Sequence, residues 1–347
     1  MAKKELFDLY ELETNKIDTD FSNYTVTVTG DGGVGKSTFL NAVYRRFGKT
    51  VTFGFEDRFK GIANMTCVPI KTWEELEKYK NQIRKGLKEK GKLPFKNMII
   101  DPVGKAGDAC EKYTCEENGI DSLGDKPYGA GYADFEKNFC TLIEEIRDLG
   151  VIVSFVSHGK NETITPPRQE GYNVQMPDIQ KKLKYIVKDE VDFLLYMSIV
   201  RTTDNEGNPK AVRRLYFQNY PEFQLKVPLD GFPDYIEWEG DVEQGVDLFI
   251  EAFNHAVEIT KRKNGEFNES TNDNKEKKIE ETELFNDSIE EDIEKLREQA
   301  INIRDKMLET TEKIEVVKIL KTQFGTAKLS EVEDISKLKN FIKEFEA

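Results

Sequence analysis

Nine consecutive residues, Gly30-Asp31-Gly32-Gly33-Val34-Gly35-Lys36-Ser37-Thr38, constrain this chain more than any other feature. They satisfy the phosphate-loop pattern G-x-x-x-x-G-K-[ST] at every fixed position. The flanks agree. Tyr24-Thr25-Val26-Thr27-Val28-Thr29 is β-branched and reads as a strand, and Phe39 to Phe47 reads as a helix. Strand, glycine loop and helix is the arrangement the chemistry needs. Glycines let backbone N–H groups turn inward on phosphate oxygens, and the helix N-terminus adds a field that favours anions. In that geometry Lys36 reaches the β and γ phosphates and Ser37 holds Mg²⁺.

A chain of 347 residues holds one large domain or two smaller ones. Its net charge of −14 argues against a uniformly basic nucleic-acid binder, though not against a local basic groove. There is no run of about 18 apolar residues, so no membrane span is expected. Met1 to Glu5 leads into mixed sequence rather than the apolar stretch of a secretory signal. Cys67, Cys110, Cys115 and Cys140 lack a zinc-type spacing and read as reduced thiols of a cytoplasmic protein.

Residues 1–23 read as a leader. From 24 to 262 strand and helix signals alternate, which predicts an α/β domain with a mostly parallel sheet flanked by helices. Its strands include 50–55, 97–101 and 151–156, with an amphipathic helix over 132–149. Val191–Val200 and Ala211–Phe217 read as a late β-hairpin around the turn formers Asp204 to Pro209. Residues 263–285 read as a flexible linker, since Lys263 to Lys278 has almost no apolar side chain. Residues 286–347 read as a small helical C-terminal appendage, either an assembly element or a solvated tail.

Ligands of open α/β sheets gather at the carboxyl ends of strands. Four chemistry-bearing positions fall at such ends. Gly30 opens the phosphate loop. Asp101 ends an apolar strand and suits the second acid of a Mg²⁺ site. Glu56 follows another strand and suits the polarisation of an attacking water, with Asp57 its immediate competitor. His158 follows Val151–Val156 and suits a sensor of the γ-phosphate. Asn161 to Pro177 reads as a long polar loop, and Lys160, Arg168 and Tyr172 offer it charge and a stacking surface for single-stranded nucleic acid. Arg213 and Arg214 on the late hairpin are candidates for arginine fingers reaching a neighbour's nucleotide; surface charge is the competing reading.

The loop also fits small Ras-like GTPases, and Asp101-Pro102-Val103-Gly104 fits their D-x-x-G. Guanine selection needs an N-K-x-D element after a later strand. The later strand here ends in Ser157-His158-Gly159-Lys160, and Asn15-Lys16-Ile17-Asp18 lies upstream of the loop. ATP is the expected nucleotide.

Residues 24 to about 240 resemble the RecA-like ATP-binding proteins of bacteriophages and prophages, including those classed as single-strand annealing recombinases. The resemblance rests on Gly30–Thr38, Phe55-Glu56 with Lys60, Met98-Ile99-Ile100-Asp101, Tyr128-Gly129-Ala130-Gly131-Tyr132, Val153–His158 and the hairpin bearing Arg213-Arg214. It implies a RecA-like core and a Mg²⁺-dependent ATPase stimulated by single-stranded DNA. Lys36, Glu56 and His158 are then the catalytic set, with Ser37 and Asp101 on the metal. It further implies a homo-oligomer in a bacterial host's cytoplasm. The C-terminal segment lies outside the resemblance and is, on its own reading, the expected contact for a single-strand-binding or replication partner. A nucleotide-regulated switch without DNA-stimulated hydrolysis is the alternative expectation, and a GTPase the third.

Overall fold

The computed structural model describes residues 14–264, apart from 166, 168, 169, 204–207, 219 and 221, and beyond them 297, 299–308, 313–324, 329, 341 and 345. Two compact units divide the chain, Met1–Phe267 and Asn268–Ala347. The first runs β1 (Val26–Gly30), α1 (Lys36–Arg45), β2 (Thr50–Gly54), β3 (Cys67–Pro69), α2 (Trp73–Lys90), β4 (Asn97–Asp101), α3 (Val103–Asn118) and α4 (Ala130–Arg147). It continues with β5 (Ile152–Val156), β6 (Gly159–Ile164), β7 (Tyr172–Pro177), β8 (Phe193–Thr203), β9 (Pro209–Tyr216), β10 (Tyr235–Trp238) and α5 (Val242–Lys263).

Every residue of β1, β2 and β4 is buried, so both faces of these strands must be covered. The expected α/β architecture does this. One sheet has the order β10-β9-β8-β1-β5-β4-β2-β3, parallel from β8 to β3, with β9 and β10 antiparallel at one edge. On one face Val26, Val28 and Leu195 meet Phe39 and Val43 of α1 and Phe249 and Phe253 of α5. On the other, Phe53, Met98, Ile100 and Phe155 meet Leu76 of α2, Cys110 of α3 and Phe139 of α4. α2 starts in a capping box, in which the Thr72 hydroxyl accepts from the Glu75 N–H, and stops at Gly91.

The strand order places the site. β5 stands between β1 and β4, and β2 lies beyond β4. Reading along the carboxyl edge therefore brings Gly30, His158, Asp101 and Glu56 side by side.

Some elements differ from the sequence expectation. Residues 159–177 are not a loop at their ends: β6 and β7 pair antiparallel from Gly159↔Pro177 to Ile164↔Tyr172. Asn, Glu and Thr on the outer positions disguise a strand whose inward anchor is the buried Val174. Helix α3 was unexpected because its buried stripe is made of small residues, Ala106, Gly107, Cys110 and Thr114, which produce little hydrophobic contrast. The end of the supposed leader belongs to the core. Phe21 is buried and its ring lies 4.8 Å from that of Phe249 and 5.1 Å from that of Phe253. Such burial stabilises by about 2–3 kcal/mol.

In the second unit, residues 299–308 and Lys313–Phe324 are helical, and Ala300, Ile303, Val316, Leu320, Leu329 and Phe341 form an apolar cluster of their own. The expected linker, from residue 265 onward, and the start of the expected helical appendage, residues 286–296, lie outside the described residues. Among the described residues no helix is long and apolar enough to cross a membrane.

Candidate functional site

Two glycines of the phosphate loop have identifiable reasons. A Cβ on Gly30 would sit 2.0 Å from the Met197 carbonyl oxygen, so the loop can leave β1 beside β8 only with glycine there. Gly35 is the N-cap of α1 at φ 101 and brings no side-chain cap. The first N–H groups of α1 are thereby left to an incoming anion.

Lys36 is buried, and its ammonium donates to the carbonyls of Gly30 (2.8 Å) and Asp31 (2.6 Å). Burial lowers its pKa, opposed by the charges of Asp101, Asp31 and Glu56. Asp101 is buried on the next strand but one. Burial pushes its carboxyl up to about 6, although the Ser37 hydroxyl donates to it and Lys36 stands close, both favouring ionisation. Its Oδ2 is buried without a hydrogen-bond partner. An orphaned carboxylate oxygen beside a serine hydroxyl fits a hard divalent cation, which takes oxygen ligands and keeps several waters. Ser37 and Asp101 would hold Mg²⁺ there.

Glu56 owes its position to a backbone bond, the Phe55 N–H donating to the Asp101 carbonyl at 2.8 Å. Its carboxylate lies 3.4 Å from the Arg58 guanidinium and lines the same cleft. Asp57 is exposed and lies outside that cleft, so the structure separates the two competing acids. His158 lines the cleft from β5, and its carbonyl accepts from the Asp178 N–H (2.8 Å) and the Thr29 hydroxyl (3.2 Å). Lys36, Ser37, Glu56, Asp101 and His158 thus share one cleft of about 280 Å³. Arg58 and Phe59 also line it, and sequence reasoning missed both. Phe59 packs on Gly54, where a Cβ would collide with its ring at 2.2 Å. A larger cleft, about 630 Å³, lies elsewhere, between α2 and the β2–β3 edge; it is mostly apolar, with Lys49, Lys90 and Lys92 but no acidic residue in its lining.

Other expected residues are placed differently. Arg213, expected to reach a neighbour, donates from Nε to the carbonyl of Val34 in its own phosphate loop (3.2 Å) and from Nη1 to that of Gly240 (3.2 Å). Arg214 pairs with Glu237 and lies 4.4 Å from the Tyr235 ring centre. Neither is free to reach outward in this arrangement. Lys160 and Tyr172 sit at opposite ends of the β6–β7 hairpin, Tyr172 exposed and Lys160 3.7 Å from Asp178. Arg168 lies outside the described residues. The hairpin is rooted on the loop itself: a Cβ on Gly159 would meet the Gln175 amide oxygen at 2.8 Å and Gly30 at 3.5 Å. Asp18 of the upstream N-K-x-D accepts from the Asp20 N–H and the Asn23 amide at the amino end of β1. A five-residue strand of about 16 Å separates it from the phosphate loop, too far for a base pocket there.

Residues 22–228 match the family model described as AAA domain. The chain belongs to that family. It therefore carries an AAA-type P-loop NTPase domain. It is also similar to the SPbeta prophage-derived uncharacterized protein YorG of Bacillus subtilis (strain 168), at 22% identity over 192 residues. The match covers 55% of this chain and 55% of that relative, so the chain spans about half the length of the curated relative it matches.

Proposed function

We propose that this AAA domain hydrolyses ATP with Mg²⁺ and uses the cycle on single-stranded DNA, in strand annealing during prophage-type recombination or replication. The observation that carries the ATPase reading is the convergence of Lys36, Ser37, Asp101, Glu56 and His158 on one cleft. In the reaction the water oxygen bonds to the γ-phosphorus and the bond to the β–γ bridging oxygen breaks, giving ADP and phosphate. Glu56 takes the water's proton. Lys36 turns from its own loop carbonyls onto the β and γ phosphates, and the backbone N–H groups of Gly33 to Thr38 hold the remaining charge. Bound Mg²⁺ supplies positive charge that neutralises the phosphate oxygens. His158 meets the γ-phosphate, and its carbonyl ties it to Asp178 at the foot of the hairpin.

The step to DNA has support from two sides. The β6–β7 hairpin begins one residue after His158 and packs on Gly30, so a change at the γ-phosphate is passed to a projecting element carrying Lys160 and Tyr172. The similar protein in Bacillus subtilis is described as prophage-derived. Partners in this reading are further copies of the chain and, through the C-terminal segment, a single-strand-binding or replication protein. ATP and GTP turnover with and without single-stranded DNA, with Lys36→Ala as control, tests the proposal. DNA-stimulated ATP turnover is expected; turnover indifferent to DNA, with no DNA binding at low salt, overturns the DNA step.

The separate apolar cluster of the second unit favours one alternative, an ATP-governed switch whose tail recruits a partner. That reading expects ATP binding without appreciable hydrolysis, and loss of recruitment on deleting residues 263–347.

A further inference from the structure

We propose that the apolar cleft between α2 and the β2–β3 edge docks an acidic peptide of a partner protein. One large apolar side chain of the peptide enters the cleft, and the carboxylates beside it meet Lys49, Lys90 and Lys92. The site is separate from the nucleotide cleft. Lys49 precedes β2 and Glu56 follows it, so a five-residue strand of about 16 Å lies between them.

The floor of the cleft is apolar. Val51 and Phe53 of β2, Val68 of β3, Tyr79 and Ile83 of α2, and Phe95 line it. Val68, Tyr79 and Phe95 are only half-buried, and about 630 Å³ of space stays open to water beside them. That volume lies within the range of built ligand sites. Gly86 helps to keep it open. It stands inside α2, where glycine costs about 1 kcal/mol relative to alanine. Neither packing nor backbone demands it: a Cβ there meets nothing within 4 Å, and its φ is not positive. The missing side chain leaves room on the helix face that also carries Tyr79 and Ile83.

The rim is basic. The whole chain carries 65 Asp and Glu against 51 Lys and Arg, yet the cleft has three lysines and no acid in its lining. All three are exposed and come from separate places: Lys49 ahead of β2, Lys90 at the end of α2 and Lys92 on the way to β4. Lys85 and Lys96, close to them in the chain, pair with Glu89 (3.7 Å) and Asp20 (2.8 Å). Lys49, Lys90 and Lys92 meet no carboxylate among the described residues. Cations on three elements around one apolar floor call for several carboxylates beside an apolar group, which an acidic peptide supplies. β3 is the last strand of the sheet, so among the described residues its outer side has no strand partner. With three residues and Pro69 at its end it offers only a short ladder, and side chains carry the contact.

The test uses the full chain and three labelled octapeptides of Asp and Glu with Phe, Trp or Leu at one central position, read by fluorescence anisotropy. Saturable binding with Kd below about 100 μM is expected for at least one of them. Replacing its apolar residue by Ala, or its acids by Asn and Gln, is expected to weaken binding about tenfold or more. The double variant Lys49→Glu/Lys92→Glu and the variant Gly86→Trp are each expected to weaken it as much. Gly86→Trp is expected to melt no lower than wild type, since helix propensity improves. If it does not fold, the exposed double variant decides alone. No binding by any of the three peptides overturns the proposal, and so does binding that survives the substitutions. Dodecanoate or an oligothymidylate bound by wild type and lost in the variants, with no peptide bound, assigns the cleft to a small amphiphilic anion or to nucleic acid and overturns it as well.

Discussion

The two ends of α1 carry charge in opposite ways. At its N-terminus Lys36 and Asp101 are buried, with pKa values displaced by burial and one carboxylate oxygen left without a partner. At its C-terminus Arg45 and Arg46 lie on the surface and are fully engaged, Arg46 donating to both Glu243 (2.8 Å) and Asp247 (2.8 Å). By contact geometry the second end is the better satisfied. By energy it matters less, because exposed pairs contribute only about 0–1 kcal/mol. The first end holds charges in a place that disfavours them, which is the mark of groups kept for chemistry rather than for stability.

Five substitutions probe that contrast. Lys36→Ala is expected to abolish detectable turnover, a loss of about 10³ or more, with the melting temperature little changed. A variant that kept turnover would erase the distinction between the two ends. Glu56→Gln is expected to lower kcat by about 10²–10⁴ while ATP still binds, and Asp57→Asn to leave kcat near wild type. Equal effects of the two would return the acid assignment to its ambiguous state.

Asp101→Asn sharpens the contrast through pH. Folded Asp101 keeps its proton up to about 6, against 3.8 for the ordinary carboxyl, chiefly because of burial. Between those values the native state binds more protons than the unfolded one, so this group's contribution to stability falls as pH rises. The asparagine does not titrate. The variant is therefore expected to be more stable than wild type by about 1–3 kcal/mol at pH 8 without Mg²⁺, the gain shrinking as pH falls through 6 toward 4. Its Mg²⁺-dependent turnover is expected to be lost. Denaturant melts at several pH values check the first statement and a turnover assay the second. Arg46→Ala, at the other end, is expected to cost about 0.5 kcal/mol and to lose even that in high salt.

Legibility from the sequence followed the same physical divide. The phosphate loop was readable because backbone geometry demands glycine at Gly30 and Gly35, phosphate and metal chemistry calls for a lysine and a serine at Lys36 and Ser37, and their spacing is local. Asp101 and His158 were readable as strand-end residues, since β4 and β5 are short apolar runs. Helix α3 was hidden by its small-residue face, and the β6–β7 hairpin by its polar outer positions. The cis engagement of Arg213 could not be read, because Val34 lies 179 positions away along the chain. The cleft between α1, residues 61–64 and the start of α5 is likewise assembled from three segments, none of which carries a pattern of its own.

Gly30 and Gly32 stand two positions apart and look alike on paper, yet the fold treats them oppositely. A methyl group at Gly30 would strike the Met197 carbonyl, whereas at Gly32 it would meet nothing within 4 Å. Selection should therefore hold the first and let the second drift. A descendant that has exchanged Gly32 for serine or alanine can still have a working loop, while one that has lost Gly30 must have moved β8 as well.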